Sequence, residues 1–184
     1  MDQVSRNAGE EIGLRVIVMG APGSGKSTLA ETLWRRLGAP VFHLDQAHVA
    51  PGWVEVPAAV FAGEVARMTA LPGWVIDGNY TATIGVRLAA ADWLIYLDVA
   101  GWVSVLRVPL RTMASYGRVR PTGPAGCRER FDSAFLGFGW GWNRVRRGRS
   151  LRLVEGFAGE RWVLRKAGDR RRLFAAVDEI VAKS

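Results

Sequence analysis

Short, uninterrupted apolar runs alternate along this chain with longer stretches in which apolar residues return every three or four positions. Residues 14–19 form a β-branched run that stops at Gly20, the signature of a buried strand. Residues 26–37 follow with helical spacing, closed by Gly38 and Pro40. The alternation then repeats, with strands predicted at 41–44, 74–77 and 93–98 and a helix at about 57–71. A further helix is predicted at 101–114, where Pro109 should kink it or break its hydrogen-bond ladder. Residues 161–165 read as a last strand. Residues 170–182 read as a closing helix whose apolar positions are Leu173, Phe174, Val177, Ile180 and Val181. Strands that alternate with helices predict an α/β fold, a central parallel sheet of about five strands with helices on both faces.

Length fits one domain, 1–184, since 184 residues with 49% apolar content build one substantial core and not two. The start of the chain is polar and the run at 14–19 is far below the roughly 20 residues that cross a bilayer, so a cytoplasmic protein without membrane contact is expected. One cysteine, Cys127, permits neither an internal disulfide nor a zinc site of its own. Of the 25 basic residues 22 are arginine, and 16 of these lie at or beyond Arg107. Residues 116–130 combine arginines with prolines and glycines, which predicts a mobile cationic flap carrying Arg118, Arg120, Arg128 and Arg130. Planar guanidinium groups suit phosphates, so the skew fits a polyphosphate ligand and fits nucleic acid equally.

The sequence Gly20-Ala21-Pro22-Gly23-Ser24-Gly25-Lys26-Ser27, with Thr28 next, separates that choice. It is a phosphate-loop motif set between a predicted strand and a predicted helix. Its glycines, Gly20, Gly23 and Gly25, let backbone N–H groups converge with Ser24 and Thr28 on one anion at a helix start. Lys26 supplies a point charge for the β and γ phosphates of ATP, and the Ser27 hydroxyl completes a Mg²⁺ shell. The competing reading is a glycine-rich turn, which satisfies far fewer of these positions. A GTPase would need an Asn-Lys-x-Asp stretch, and the sequence has none; a motor or helicase would need more chain.

Trp74-Val75-Ile76-Asp77-Gly78-Asn79-Tyr80 resembles the third-strand segment of the nucleoside monophosphate kinase superfamily, which commonly ends in Ile/Leu-Asp-Gly. The resemblance implies that Asp77 stands beside Mg²⁺ and the transferring phosphate. Adenylate kinases continue with Phe-Pro-Arg where this chain has Asn79-Tyr80-Thr81, and a plain turn after a strand is the competing reading. After residues 95–99 come Arg107 and Arg111, one helical turn apart, and the resemblance implies that they flank adenine and phosphates. With Phe42-His43-Leu44-Asp45-Gln46-Ala47-His48, Pro51-Gly52-Trp53-Val54 and the run from Pro121 to Phe131, residues 14–145 look like the bacterial DNA topology modulation proteins, adenylate-kinase-like P-loop ATPases. A P-loop, nucleoside-monophosphate-kinase-like three-layer sandwich is therefore expected.

In that superfamily the end of the second strand faces the phosphoryl acceptor, and shikimate and gluconate kinases are similar in placing an aspartate there. Asp45 is the matching residue, and the resemblance implies an acceptor region at 45–73. Between residues 37 and 86 the only arginine is Arg67, a poor supply of cations for a phosphate acceptor, so a hydroxyl acceptor activated by Asp45 fits better than a nucleotide. Arg87 argues the other way, as an anion binder; Asn79 and Tyr80 are further candidates to touch the substrate, and His48 is a weaker one. A different class of function, a nucleic-acid-associated ATPase, would use Arg144, Arg146, Arg147, Arg149 and Arg152 beside Trp140 and Trp142. No reader motif accompanies that stretch, and nucleic acid is the less favoured partner.

Overall fold

The computed structural model describes residues 12–128 and 146–183. Its elements in chain order are β1 (Arg15–Gly20), α1 (Lys26–Leu37), β2 (Val41–His43), α2 (Leu44–His48), β3 (Val49–Ala50), β4 (Val54–Glu55) and α3 (Ala58–Thr69). They continue with β5 (Trp74–Asp77), a 3₁₀ turn at Thr81–Thr83, α4 (Ile84–Ala90), β6 (Trp93–Leu97), α5 (Gly101–Ala114), α6 (Arg147–Glu155), β7 (Glu160–Leu164) and α7 (Ala167–Val181).

Five strands form one sheet in the order β2-β5-β1-β6-β7, and every pairing in it is parallel. The strands read as continuous apolar runs because both faces are covered. On one face Val16, Val18, Val75, Ile95 and Leu97 pack against Leu29 and Leu33 of α1 and Leu173 and Val177 of α7. On the other, Ile17, Met19, Ile76, Leu94 and Tyr96 meet Phe61 and Val65 of α3 and Val154 of α6. Three layers result, an α/β sandwich with the sheet in the middle. Among the described residues no helix is long and apolar enough to cross a membrane.

Several expectations are corrected. β2 stops at His43, and the chain enters α2 at once, so Asp45 lies in the first turn of a short helix and not at the strand end. Leu44, the first residue of α2, is fully buried against Gly78, where an added Cβ would lie 2.9 Å from Leu44 Cβ. α5 spans Gly101–Ala114, the bounds expected, with Pro109 inside it. α7 begins at Ala167, earlier than its apolar spacing indicates, because the Asp169 carboxylate accepts the backbone N–H groups of Arg165 and Lys166.

The stretch expected to be a flap makes contacts over its described part. Residues 116–128 fold back on themselves through an antiparallel bridge between Val119 and Arg128. They dock on the small antiparallel hairpin of β3 and β4. Gln46 Nε2 donates to Pro121 O at 2.9 Å, Trp53 N to Cys127 Sγ at 3.3 Å, and Trp53 Nε1 to Arg128 O at 3.3 Å. Trp53, at the hairpin tip, has a left-handed backbone with φ of 65°. Arg130 lies outside the described residues.

Candidate functional site

Parallel strands bring their C-terminal ends to one edge, where open α/β sheets hold their ligands. β1 delivers Gly20 there, at φ 152°, with its Cα so close to β6 that a Cβ would sit 2.8 Å from Leu97 O and 2.9 Å from Ser24 Oγ. Only glycine fits. The loop turns through Gly23 and Ser24 to Gly25, which caps α1 without a side-chain hydrogen bond, and the first turn of α1 holds no acidic residue. Its N–H groups and the helix dipole therefore face an uncompensated end, suited to an anion. Ser24 Oγ is buried without a hydrogen-bond partner among the described residues. Lys26 Nζ donates to Ala21 O at 3.1 Å, across the loop's own mouth. Ser27 is half-buried and Thr28 exposed on the same first turn.

Beside this loop the register pairs Asp77 with Val18 of β1 and with His43 of β2. Asp77 is buried; its Oδ2 meets His43 Nδ1 at 3.1 Å, while Oδ1 has no partner among the described residues. His43 Nε2 faces Glu31 Oε1 of α1 at 3.3 Å. Burial works against a charged imidazole, but the hydrogen bonds and charges of Asp77 and then Glu31 outweigh it and raise the His43 pKa above its ordinary value. Neither His43 nor Glu31 stands out in the sequence. The signal available was a histidine two residues before Asp45, but its partners lie 12 and 34 positions away.

After Asp77 the chain makes a turn at Gly78–Tyr80 whose side chains point to two different places. Asn79 Nδ2 donates to Gly20 O at 2.9 Å, and Asn79 Oδ1 accepts Gly20 N at 3.1 Å, so one amide side chain closes a two-bond ring with the first residue of the glycine-rich loop. Tyr80 donates its hydroxyl to Asp45 Oδ1 at 2.7 Å. Burial first, then the negative charge of Asp45, raises the Tyr80 phenol far above its ordinary pKa, so it stays a donor. The Tyr80 ring also meets His48 and Phe61, with centroids 4.7 and 5.1 Å away, in a three-ring cluster between α2, α3 and the turn.

Arg87 corrects the sequence expectation most clearly. Expected as an anion binder, it is fully buried in α4. Its Nη1 donates to Gly78 O at 2.9 Å, and its Nη2 donates to Tyr80 O at 2.7 Å and reaches Asn79 O at 3.5 Å. Burial lowers its pKa to about 10, with the charge of Asp77 opposing. A guanidinium enclosed by carbonyls holds the turn and does not offer itself to an incoming anion. Likewise Asn79, expected to touch substrate, is engaged with Gly20.

The remaining arginines are spread more widely. Arg107 is exposed on α5, and Arg111 lies one turn further along the same helix. Arg118 and Arg128 are exposed and Arg120 half-buried in the segment docked on β3 and β4. Arg147, expected in a nucleic-acid-binding stretch, instead pairs with buried Asp98, at 2.6 Å from Nε and 2.8 Å from Nη2; Arg165 Nε adds a bond to the same carboxylate at 2.9 Å. Trp140, Trp142 and Arg144 lie outside the described residues. Burial disfavours the Asp98 anion, but the two arginines outweigh it and hold its pKa below the ordinary range. Asp98, Val99, Ala100, Arg147 and Arg165 line an open cleft of about 480 Å³ at the same sheet edge. Asp98 and Arg165 each end a strand that the sequence does show, yet their pairing joins residues 67 apart.

No protein-family model matches the chain, and no curated protein is similar to it in sequence. Among solved structures it is similar to a gluconokinase from Sinorhizobium meliloti 1021, with a TM-score of 0.54 and 16% sequence identity over 95% of this chain and 94% of that one. At that identity the likeness speaks for the fold. The chain has the P-loop kinase fold, with its five parallel strands between two helical layers.

Proposed function

We propose that this protein is an ATP-dependent small-molecule kinase that moves the γ-phosphoryl group of ATP to a hydroxyl-bearing acceptor. The glycine-rich loop fits the nucleotide's phosphates: it has a buried hydroxyl at Ser24 without a partner among the described residues, an approach to β6 that a Cβ would obstruct at Gly20, and Lys26 at its mouth. Ser27 and Asp77, whose Oδ1 is buried and unpaired among the described residues, would hold Mg²⁺, which supplies charge neutralisation for the transferring phosphate. Arg107, Arg111, Arg118, Arg120 and Arg128 are the chain's cations for phosphates and adenine. The region at 45–73, with Asp45, His48 and Tyr80, is the acceptor side.

The observation that favours a hydroxyl acceptor is the state of the charges around Asp45. Between residues 44 and 91 the sequence has two arginines. Arg67 is paired with Glu64 at 2.8 Å, and Arg87 is enclosed by carbonyls. Within this stretch a phosphate acceptor would meet the Asp45 carboxylate with Arg87 enclosed and Arg67 in an exposed pair with Glu64, so any compensating cation would come from the segment at 118–128 that docks beside Gln46. An alcohol would find there a base already fixed in orientation by the Tyr80 hydroxyl.

Asp45→Asn, assayed against a panel of polyols, nucleoside monophosphates and duplex DNA for stimulated ADP release, tests this. ATP affinity should stay nearly constant while hydroxyl-stimulated turnover falls by about 10²- to 10⁴-fold. Stimulation by nucleoside monophosphates alone, or an unimpaired variant, would refute the hydroxyl-kinase reading. Stimulation by DNA alone would transfer the case to a nucleic-acid-associated ATPase.

A further inference from the structure

A buried cation is normally matched by a carboxylate, because removing it from water without compensation is costly. Arg87 is fully buried, and its hydrogen bonds go to the carbonyls of three consecutive residues, Gly78, Asn79 and Tyr80. Its Nε is left buried without a partner among the described residues. For stability alone this is a poor arrangement, since an apolar side chain would avoid both the charge and the orphaned donor. What the guanidinium does achieve is geometric. Its two Nη atoms draw three successive carbonyls to one point, which fixes the path of the turn and hence the directions of its side chains.

Those side chains lead to the two halves of the site. Asn79 makes its two-bond ring with Gly20, where the glycine-rich loop begins, and Tyr80 holds Asp45. We propose that Arg87 is a positioning residue that sets both halves from one anchor, holding the glycine-rich loop through Asn79 and the acceptor-side carboxylate through Tyr80. The proposal rests on the kinase reading for its kinetic consequences and not for its structural ones. The substitution that tests it is Arg87→Lys, which keeps a cation but cannot present the fork that spans three carbonyls.

The structural arm needs no acceptor: hydrogen exchange at the Gly20 amide, which donates to Asn79 Oδ1, should speed up about 10-fold or more in folded Arg87→Lys and in Asn79→Ala, while Tyr80→Phe leaves it unchanged. The kinetic arm uses the same proteins. Tyr80→Phe should lower hydroxyl-stimulated kcat by about 10- to 100-fold with little change in the KM for ATP, Asn79→Ala should act chiefly on the KM for ATP, and Arg87→Lys should do both. In the Asp45→Asn background, Arg87→Lys should lose its effect on kcat and keep its effect on ATP.

Unchanged Gly20 exchange in a folded Arg87→Lys protein, or additive losses with Asp45→Asn, would overturn the anchor. If Arg87→Lys does not fold, Asn79→Ala and Tyr80→Phe still decide, because equal effects of the two on both parameters would contradict a turn with two separate outputs. Altered Gly20 exchange without any stimulated turnover would keep the anchor and remove the kinase reading, so the two failures are distinct.

Discussion

Two carboxylates at opposite edges of the sheet, Asp92 and Asp77, are held in opposite ways. At the edge where β1 begins, Asp92 takes three hydrogen bonds from Arg15: from the backbone N at 2.9 Å, Nε at 3.0 Å and Nη2 at 2.8 Å. Both side chains remain more than a third exposed, so water completes what the pair leaves open. At the edge where β5 ends, Asp77 is buried, bonded through one oxygen to His43 and unpaired at the other among the described residues. A satisfied carboxylate at a wet edge is a staple. An incompletely satisfied one in a dry site works against folding, and in the proposed reading it is retained for the cation it binds.

The largest effect expected from this contrast is on chemistry. Asp77→Asn preserves size and a bond to His43 while removing the charge, so Mg²⁺-dependent ATP turnover should fall by about 10²- to 10³-fold. The unfolding midpoint is the control that separates chemistry from folding, because the same carboxylate charge also supports the buried Arg87 and His43. Undiminished turnover would make the two edges equivalent, both merely structural.

An intermediate effect separates the edges by backbone. Gly78, after β5 at φ 143°, would put a Cβ 2.9 Å from Leu44 Cβ, whereas Gly38, at the C-terminus of α1 and φ 70°, would meet nothing within 4 Å. Gly78→Ala should therefore cost about 2–3 kcal/mol by chemical denaturation and Gly38→Ala about 1 kcal/mol. Equal costs would mean that Leu44 yields and that the close approach near Asp77 is not a constraint.

The smallest effect belongs to the staple and is read through pH. The Arg15 hydrogen bonds and charge hold the Asp92 carboxyl below its ordinary value, against the opposing effect of burial, so the folded state binds this proton less readily than the unfolded chain. The stabilisation is then fully present above the ordinary carboxyl value of about 4 and is lost as pH falls through the lower folded value. For so exposed a pair it amounts to about 1 kcal/mol or less. Asp92→Asn should show that deficit at pH 7 and lose it as pH falls through the lowered Asp92 value, as followed by denaturation across the acid range. A deficit that persists in acid would point to packing and not charge.

The sequence was most informative where a residue's role is local. Five apolar runs and the spacing of Gly20 to Ser27 suffice for the strands, the glycine-rich loop and α1, because periodicity and turn chemistry act over a few residues. Strand order was not legible, since no periodicity says that β5 inserts between β2 and β1. Arg87 was visible as a cation near Asn79 but not as an anchor, because its partners are carbonyls, which every residue carries. Asp98 was visible as a strand end but not as the partner of Arg147, whose spacing suggested a basic surface. A role that depends on who arrives from elsewhere in the chain leaves little trace in the residues beside it.

Trp53 shows how such a dependence can act on the chain itself. A bulky L-residue in the left-handed region costs about 1 kcal/mol or more, and it persists only where its surroundings over-determine it. Here the turn between β3 and β4 sets that conformation, and another segment meets it: Cys127 accepts the Trp53 backbone N–H, and Arg128 O accepts its indole N–H. The hairpin that follows Asp45 in the chain is thereby tied at its tip to residues more than seventy positions away, so the two segments constrain one another.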